Sequence, residues 1–212
     1  LPLLNHKYIE DGGEIGVWRT EEEVEYFLAH LSLFESEETY LDALSAPRKI
    51  EWLSSRHLLH KMSGRILRGE VCKDDFGKPF LKDSAYHISI SHSRDLVAVI
   101  ASPTLVGIDI QYYVPRILRI GPRFISEKEI KFIPDKKNII YHHIIWGAKE
   151  CLFKAYGKGT VDFRKDLYVH DIAPSIEGYH AIGQIKKQDY QKSFRLNIEV
   201  FQEYILVYAI EI

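Results

Sequence analysis

Asp109, in the run Val106-Gly-Ile-Asp-Ile-Gln111, and the stretch Trp146-Gly-Ala-Lys-Glu-Cys-Leu-Phe-Lys154 carry the residue types that chemistry on a phosphate with a metal ion needs. Magnesium prefers oxygen ligands and is commonly held by one or two carboxylates together with substrate phosphates. Asp109 and Glu150 can supply those carboxylates, with Gln111 adding a carboxamide oxygen. Glu150 can also take the proton of an attacking hydroxyl, while Lys154 steadies charge on a transferred phosphoryl group or its leaving group. Taken singly, each feature has a plainer account. Glu150 and Lys154 have the spacing of an exposed helical ion pair of little energetic weight, and Asp109 that of a strand-end residue capping a turn.

The elements that must position these groups are legible in the pattern. Alternating Val106, Ile108 and Ile110 predict a strand with one buried face, so Asp109 and Gln111 project the same way. Residues 138–156 read as a helix, with Ile140, Ile144, Ile145, Leu152, Phe153 and Tyr156 at helical spacing; on it Trp146, Glu150 and Lys154 share a face, and Gly157-Lys-Gly159 closes it. Upstream, a strand is expected over 14–19 and helices over 21–33, 37–44 and 47–67. Strands over 86–90 and 96–101 form a hairpin around His92-Ser-Arg-Asp95. Ser126 to Glu129 reads as a capping box, and strands over 193–201 and 204–212 as an antiparallel pair. Ser102-Pro103-Thr104 interrupts the pattern and divides the chain into halves 1–103 and 104–212 of an α+β fold.

At 212 residues and 46% hydrophobic content, the chain can bury a substantial core. No apolar run approaches the roughly 20 residues needed to span a bilayer, so a soluble protein without a membrane partner is expected. The net charge of −2 conceals an uneven distribution: residues 1–47 hold two basic side chains against eleven acids, and residues 48–82 hold nine against four. The second stretch is either a solvated basic face or an anion site. No nucleic-acid module accompanies it, which favours a small polyphosphate over nucleic acid. Cys72 and Cys151 lack metal-ligand spacing and read as reduced, cytoplasmic thiols.

Together, the motifs resemble the 4′-phosphopantetheinyl transferase superfamily, whose strand G-[IV]-D precedes a helix W-x-x-K-E-x-x-x-K. Here these are Gly107-Ile-Asp109 and the run from Trp146 to Lys154. Phe76-Gly-Lys-Pro-Phe80 and His87-Ile-Ser-Ile-Ser-His-Ser93 are similar to further motifs of the family, and Arg48-Lys49 with Arg56 is a looser match. The ordered set covers about half the chain, and the length is that of the longer, two-half type that activates surfactin synthetase.

The resemblance implies two similar α+β halves in pseudo-twofold arrangement, with antiparallel sheets and coenzyme A in the cleft between them. Arg48, Arg56, Lys78, Ser91, His92 and Lys154 would hold its phosphates, and Asp109, Gln111 and Glu150 a magnesium ion. Glu150 would act as base and Lys154 as acid while a serine of an acyl or peptidyl carrier protein attacks, releasing adenosine 3′,5′-bisphosphate. Gln111 stands where many relatives have glutamate, which bears on metal affinity. Residues 112–135, with Arg116, Arg119 and Arg123, are either a carrier contact or a plain connection. A monomer is expected, since fused halves complete one cleft. The rival expectation within the same fold is a coenzyme A binding protein without catalysis.

Overall fold

The computed structural model describes residues 2–135 and 137–212, and of residue 11 only the backbone. The strands are β1 (Leu3–Ile9), β2 (Gly13–Arg19), β3 (Val71–Lys73), β4 (Pro79–Leu81), β5 (His87–Ser93), β6 (Leu96–Ser102), a continuous apolar run buried on both faces, and β7 (Val106–Tyr112). β8 (Leu167–Pro174), β9 (Gly178–Lys187), β10 (Tyr190–Val200) and β11 (Tyr204–Glu211) follow. The helices are α1 (Val24–His30), α2 (Glu35–Asp42), α3 (Ala46–Ser63), α4 (Ile117–Ile120) and α5 (Ile139–Tyr156).

The first sheet has the order β1-β2-β6-β5 and the second β7-β11-β10-β9-β8; β3 and β4 form a small separate hairpin. Both large sheets are antiparallel throughout, which with the helices makes an α+β fold. Strands of the first sheet all precede Pro103, and those of the second all follow it. Helix α3 packs on β2 and β6, and α5 on β7 and β11. Between the sheets lies one shared core, in which Ile15, Val17, Leu96 and Ile100 meet Val106, Ile108, Ile110, Leu206 and Ile210.

Local chemistry sets the helix limits. Asn138 caps α5 by accepting the Tyr141 amide at 3.2 Å, and Gly157 ends it in the left-handed conformation, φ 61°. Helix α3 stops at Gly64, φ 60°, rather than at the expected residue 67. Ser126 and Glu129 form the reciprocal capping box, which opens a short 3₁₀ turn. Strands β1, β3, β4, β8 and β9 are additions to the sequence reading.

Helix α5 approaches β7 so closely that a Cβ on Gly107 would lie 2.0 Å from the Cys151 carbonyl oxygen. The obstacle is helix backbone and cannot turn aside. Gly107→Ala is expected to lose about 3 kcal/mol of stability in a urea titration, as overpacking of a closed core does; a loss below about 1 kcal/mol would mean that α5 is free to retreat.

His57, on α3, is enclosed by Trp18, Tyr26 and Phe27, and neither ring nitrogen has a hydrogen-bond partner among the described residues. Burial, helped by the charges of Lys61 and His30, pushes its pKa from 6.5 down to about 4. The folded state therefore binds fewer protons than the unfolded chain between those values. The stability that the neutral ring contributes is complete above pH 6.5 and is lost as pH falls toward 4. His143 shares this direction and Glu150 opposes it, so the contribution of His57 is isolated by a variant. Urea titrations at pH ~7.5 and ~5 should show His57→Phe losing about 2 kcal/mol less than wild type on acidification. Equal losses would remove His57 as their cause.

Candidate active site

Asp109 sits on β7 and is 7% exposed. Its Oδ1 accepts hydrogen bonds from Ser91 Oγ at 3.1 Å and Lys154 Nζ at 2.9 Å, and its Oδ2 accepts one from Gln111 Nε2 at 3.0 Å. Lys154 reaches across from α5 and also donates to the Ile108 carbonyl at 2.8 Å. Burial, the largest single influence, would lower its pKa, but the charge and hydrogen bond of Asp109 together with Cys151 and Glu150 outweigh it and raise it, so the ammonium stays charged.

Glu150 stands one helical turn before Lys154. Burial first, and the like charge of Asp109 second, push its carboxyl up to about 7 against the pull of Lys154. Two carboxyls from separate elements thus meet in one electrostatic site, one of them poised to exchange a proton near neutrality.

What holds β7 in place is written in the alternation of β5. Ser89, Ser91 and Ser93 accept the backbone amides of Ile108, Ile110 and Tyr112 at 3.1, 3.2 and 3.4 Å. Serine hydroxyls thereby join the edge strands of the two sheets where no backbone ladder does. Ser91 donates its own hydroxyl hydrogen bond to Asp109, so the anionic oxygen it serves is a carboxylate of the chain itself.

The other face of β5 borders a groove of about 400 Å³ lined by Tyr40, Arg48, Trp52, Arg56, Lys73 and His92. Arg48 and His92 are exposed there, the latter 3.5 Å from Glu51. Arg56 is 6% exposed and stacks 4.1 Å over Trp52. It bonds Ser55 Oγ at 2.9 Å, but its Nε has no partner and no carboxylate of the described residues pairs with it. Burial lowers its pKa to about 10. A buried guanidinium without a counter-charge is costly, and an anion in the groove would relieve it.

Of the residues singled out in the sequence, the structure gathers Ser91, Asp109, Gln111, Glu150 and Lys154 into one cluster, and Arg48, Arg56 and His92 around the groove. Lys78 lies with neither: it crosses Gly157 and donates to the Ala155 carbonyl at 2.6 Å, tying the β3–β4 hairpin to the end of α5. Trp146 packs between Phe124 and Phe163 as part of the core. Sequence reasoning missed the pair Lys149–Glu129, both fully buried and 2.7 Å apart. It also missed His143, and it treated Ser91 alone where three serines act. Small hydroxyl residues at every second position of a strand were the available signal for the last.

The donor set suits a divalent cation. Among the described residues no three acidic, histidine or cysteine side chains cluster as a complete cage. The Asp109 charge nonetheless raises the cost of ionising Glu150, a cost that a cation beside a polyphosphate would relieve.

Comparison with known proteins bears on this constellation. Residues 105–209, which contain both carboxylate-bearing elements, match the family model of the 4′-phosphopantetheinyl transferase superfamily. The chain is 31% identical over 109 residues to the 4′-phosphopantetheinyl transferase psf-1 of Bacillus pumilus, covering 49% of this chain and 47% of that one. It is 34% identical over 90 residues to gsp of Aneurinibacillus migulanus, covering 41% and 38%, and 33% identical over 90 residues to Sfp of Bacillus subtilis (strain 168), covering 40% of each. The matches span less than half of the length of these relatives. A matching family model over residues 105–209, which hold Asp109, Glu150 and Lys154, together with relatives named as 4′-phosphopantetheinyl transferases, establishes that the chain belongs to the 4′-phosphopantetheinyl transferase superfamily.

Proposed function

We propose that the protein transfers the 4′-phosphopantetheine arm of coenzyme A to a serine hydroxyl of an acyl or peptidyl carrier protein, with magnesium, releasing adenosine 3′,5′-bisphosphate. The observation that carries this reading is Glu150, a carboxyl held near neutrality beside Asp109 and Lys154. The groove with the unpaired cation Arg56 borders β5 at His92, next to the Ser91 that donates to Asp109. Arg48, Arg56 and His92 would hold phosphates of coenzyme A there.

Asp109 and Glu150 would hold the ion, which when bound neutralises charge on the pyrophosphate. Glu150, which accepts no hydrogen bond among the described residues, would take the serine proton as the new oxygen–phosphorus bond forms. The bond from that phosphorus to the bridging oxygen breaks, and Lys154 would steady the charge of the departing bisphosphate. Gln111 turns its nitrogen rather than its oxygen to Asp109, and Lys78 serves the joint between the halves, so both stand outside the assigned contacts.

Arg116, Arg119 and Arg123 are exposed around α4 and offer an acidic carrier a basic rim. No described helix is long and apolar enough to cross a membrane. Cys72 and Cys151 are both free, which suits the reducing cytoplasm proposed as the site of action. Incubation with coenzyme A, magnesium and an apo carrier protein is expected to yield the phosphopantetheine adduct by mass spectrometry, and chelator to abolish it. Tight coenzyme A binding with no adduct on any of several carriers would replace this reading by that of a binding protein.

A further inference from the structure

The carboxamide of Gln111 occupies a network whose direction is fixed from one end. The Val114 backbone amide lies 3.0 Å from His143 Nε2 and can only donate, so Nε2 carries the lone pair. The ring proton must then sit on Nδ1, 2.7 Å from Gln111 Oε1, which accepts it. That leaves Gln111 Nε2 facing Asp109 Oδ2 at 3.0 Å and the His143 carbonyl at 3.3 Å, both acceptors. Turning the amide over would set its oxygen against a carboxylate and a carbonyl and leave the His143 proton facing an N–H. The space is also tailored: a Cβ on Gly147 would lie 2.7 Å from Gln111 Nε2, so a glycine in the middle of α5 admits the amide.

We propose that Gln111 is a positioning residue and not a ligand: locked by His143, it aims an N–H at Asp109 and fixes the rotamer in which that carboxylate meets the cation. The proposal rests on the reading of Asp109 and Glu150 as the cation's carboxylates. It assigns His143 a role at one remove, through Gln111, and it explains why an amide can stand at this position without abolishing the site. A neutral donor on Oδ2 directs Asp109 without competing with Glu150 for positive charge.

The test uses the full chain with manganese alone, without coenzyme A, and reads the affinity by calorimetry. Gln111→Ala is expected to weaken manganese binding about tenfold, the lower range for loss of a group that orients a ligand. His143→Phe should weaken it by a similar factor, His143→Asn, whose amide keeps a donor near the Nδ1 position, should restore it, and the double variant Gln111→Ala/His143→Phe should be no weaker than either single one. Multiplying factors in the double variant, or unchanged binding in either single one, would overturn the relay. A long-range proton–nitrogen NMR spectrum of the wild type supplies a readout free of metal and of substitution: the Nδ1–H tautomer is expected for His143, and the Nε2–H tautomer defeats the proposal even if a variant does not fold. Should wild type bind no manganese at all, the cation site itself fails and this role falls with it; binding with an additive cycle removes only the relay.

Discussion

Glu150→Gln is expected to lower the rate of the proposed phosphopantetheine transfer by about 10²- to 10⁴-fold, the span associated with loss of a positioned general base, while the protein keeps or gains stability. The two outcomes share one cause. A carboxyl raised to about 7 is disfavoured in its charged form by burial and by Asp109. The resulting penalty to the folded state is absent below the unfolded value near pH 4.5 and complete above pH 7. The neutral, isosteric amide removes that penalty, and a gain of roughly 1–3 kcal/mol at pH ~8 is expected in a urea titration. Single-turnover transfer to an apo carrier, followed by mass spectrometry, gives the other half. Activity within about tenfold of wild type would exclude Glu150 as the proton acceptor, and a stability loss would mean that the carboxyl is paired rather than strained.

Lys149→Met is expected to remove about 3–5 kcal/mol, a large share of the 5–15 kcal/mol typical of a folded domain. Lys149 is fully buried and donates to Glu129 Oε2, to the Phe124 carbonyl and to the Phe163 carbonyl, each at 2.7 Å. Glu129 in turn accepts the amides of Ser126 at 2.7 Å and Val169 at 2.9 Å. One ammonium thus binds the segment before α5, the segment after it and the start of the second sheet's outer strand to the helix that bears Glu150. Burial lowers its pKa, but the facing Glu129 opposes this. Adding Glu129→Gln to Lys149→Met removes the stranded charge and should recover part of the loss. A single-variant loss under about 1 kcal/mol, with an unchanged urea slope, would show that water satisfies the vacated groups.

The parts of this architecture legible in the sequence are those in which one residue type can serve one purpose. Asn138 and Gly157 bracket α5, and the spacing of Trp146, Glu150 and Lys154 fixes their common face. Strands β8 and β9 were not legible. Their polar and exposed residues, among them His170, Asp171 and His180, dilute the alternation because one side of the sheet faces water. Lys149 was hidden for a different reason. A lysine beside a glutamate on a helix reads as solvent-facing, and only three acceptors from distant segments reveal a buried cation. Lys78 shows the same limit: its turn is readable, but which half its ammonium crosses to is decided by the long-range approach of Gly157.

The core shared by the two sheets has a practical consequence for dissection of the protein. An excised 105–209 fragment would present the apolar flank of Val106, Ile108, Ile110, Leu206 and Tyr208 to water, and the amides of Ile108, Ile110 and Tyr112 would lose their serine acceptors. Such a fragment is expected to aggregate, not to work as a portable module. For the same reason a fusion tag or inserted domain belongs at an outer strand, such as the turn around exposed Ile176, and not at the join near Pro103.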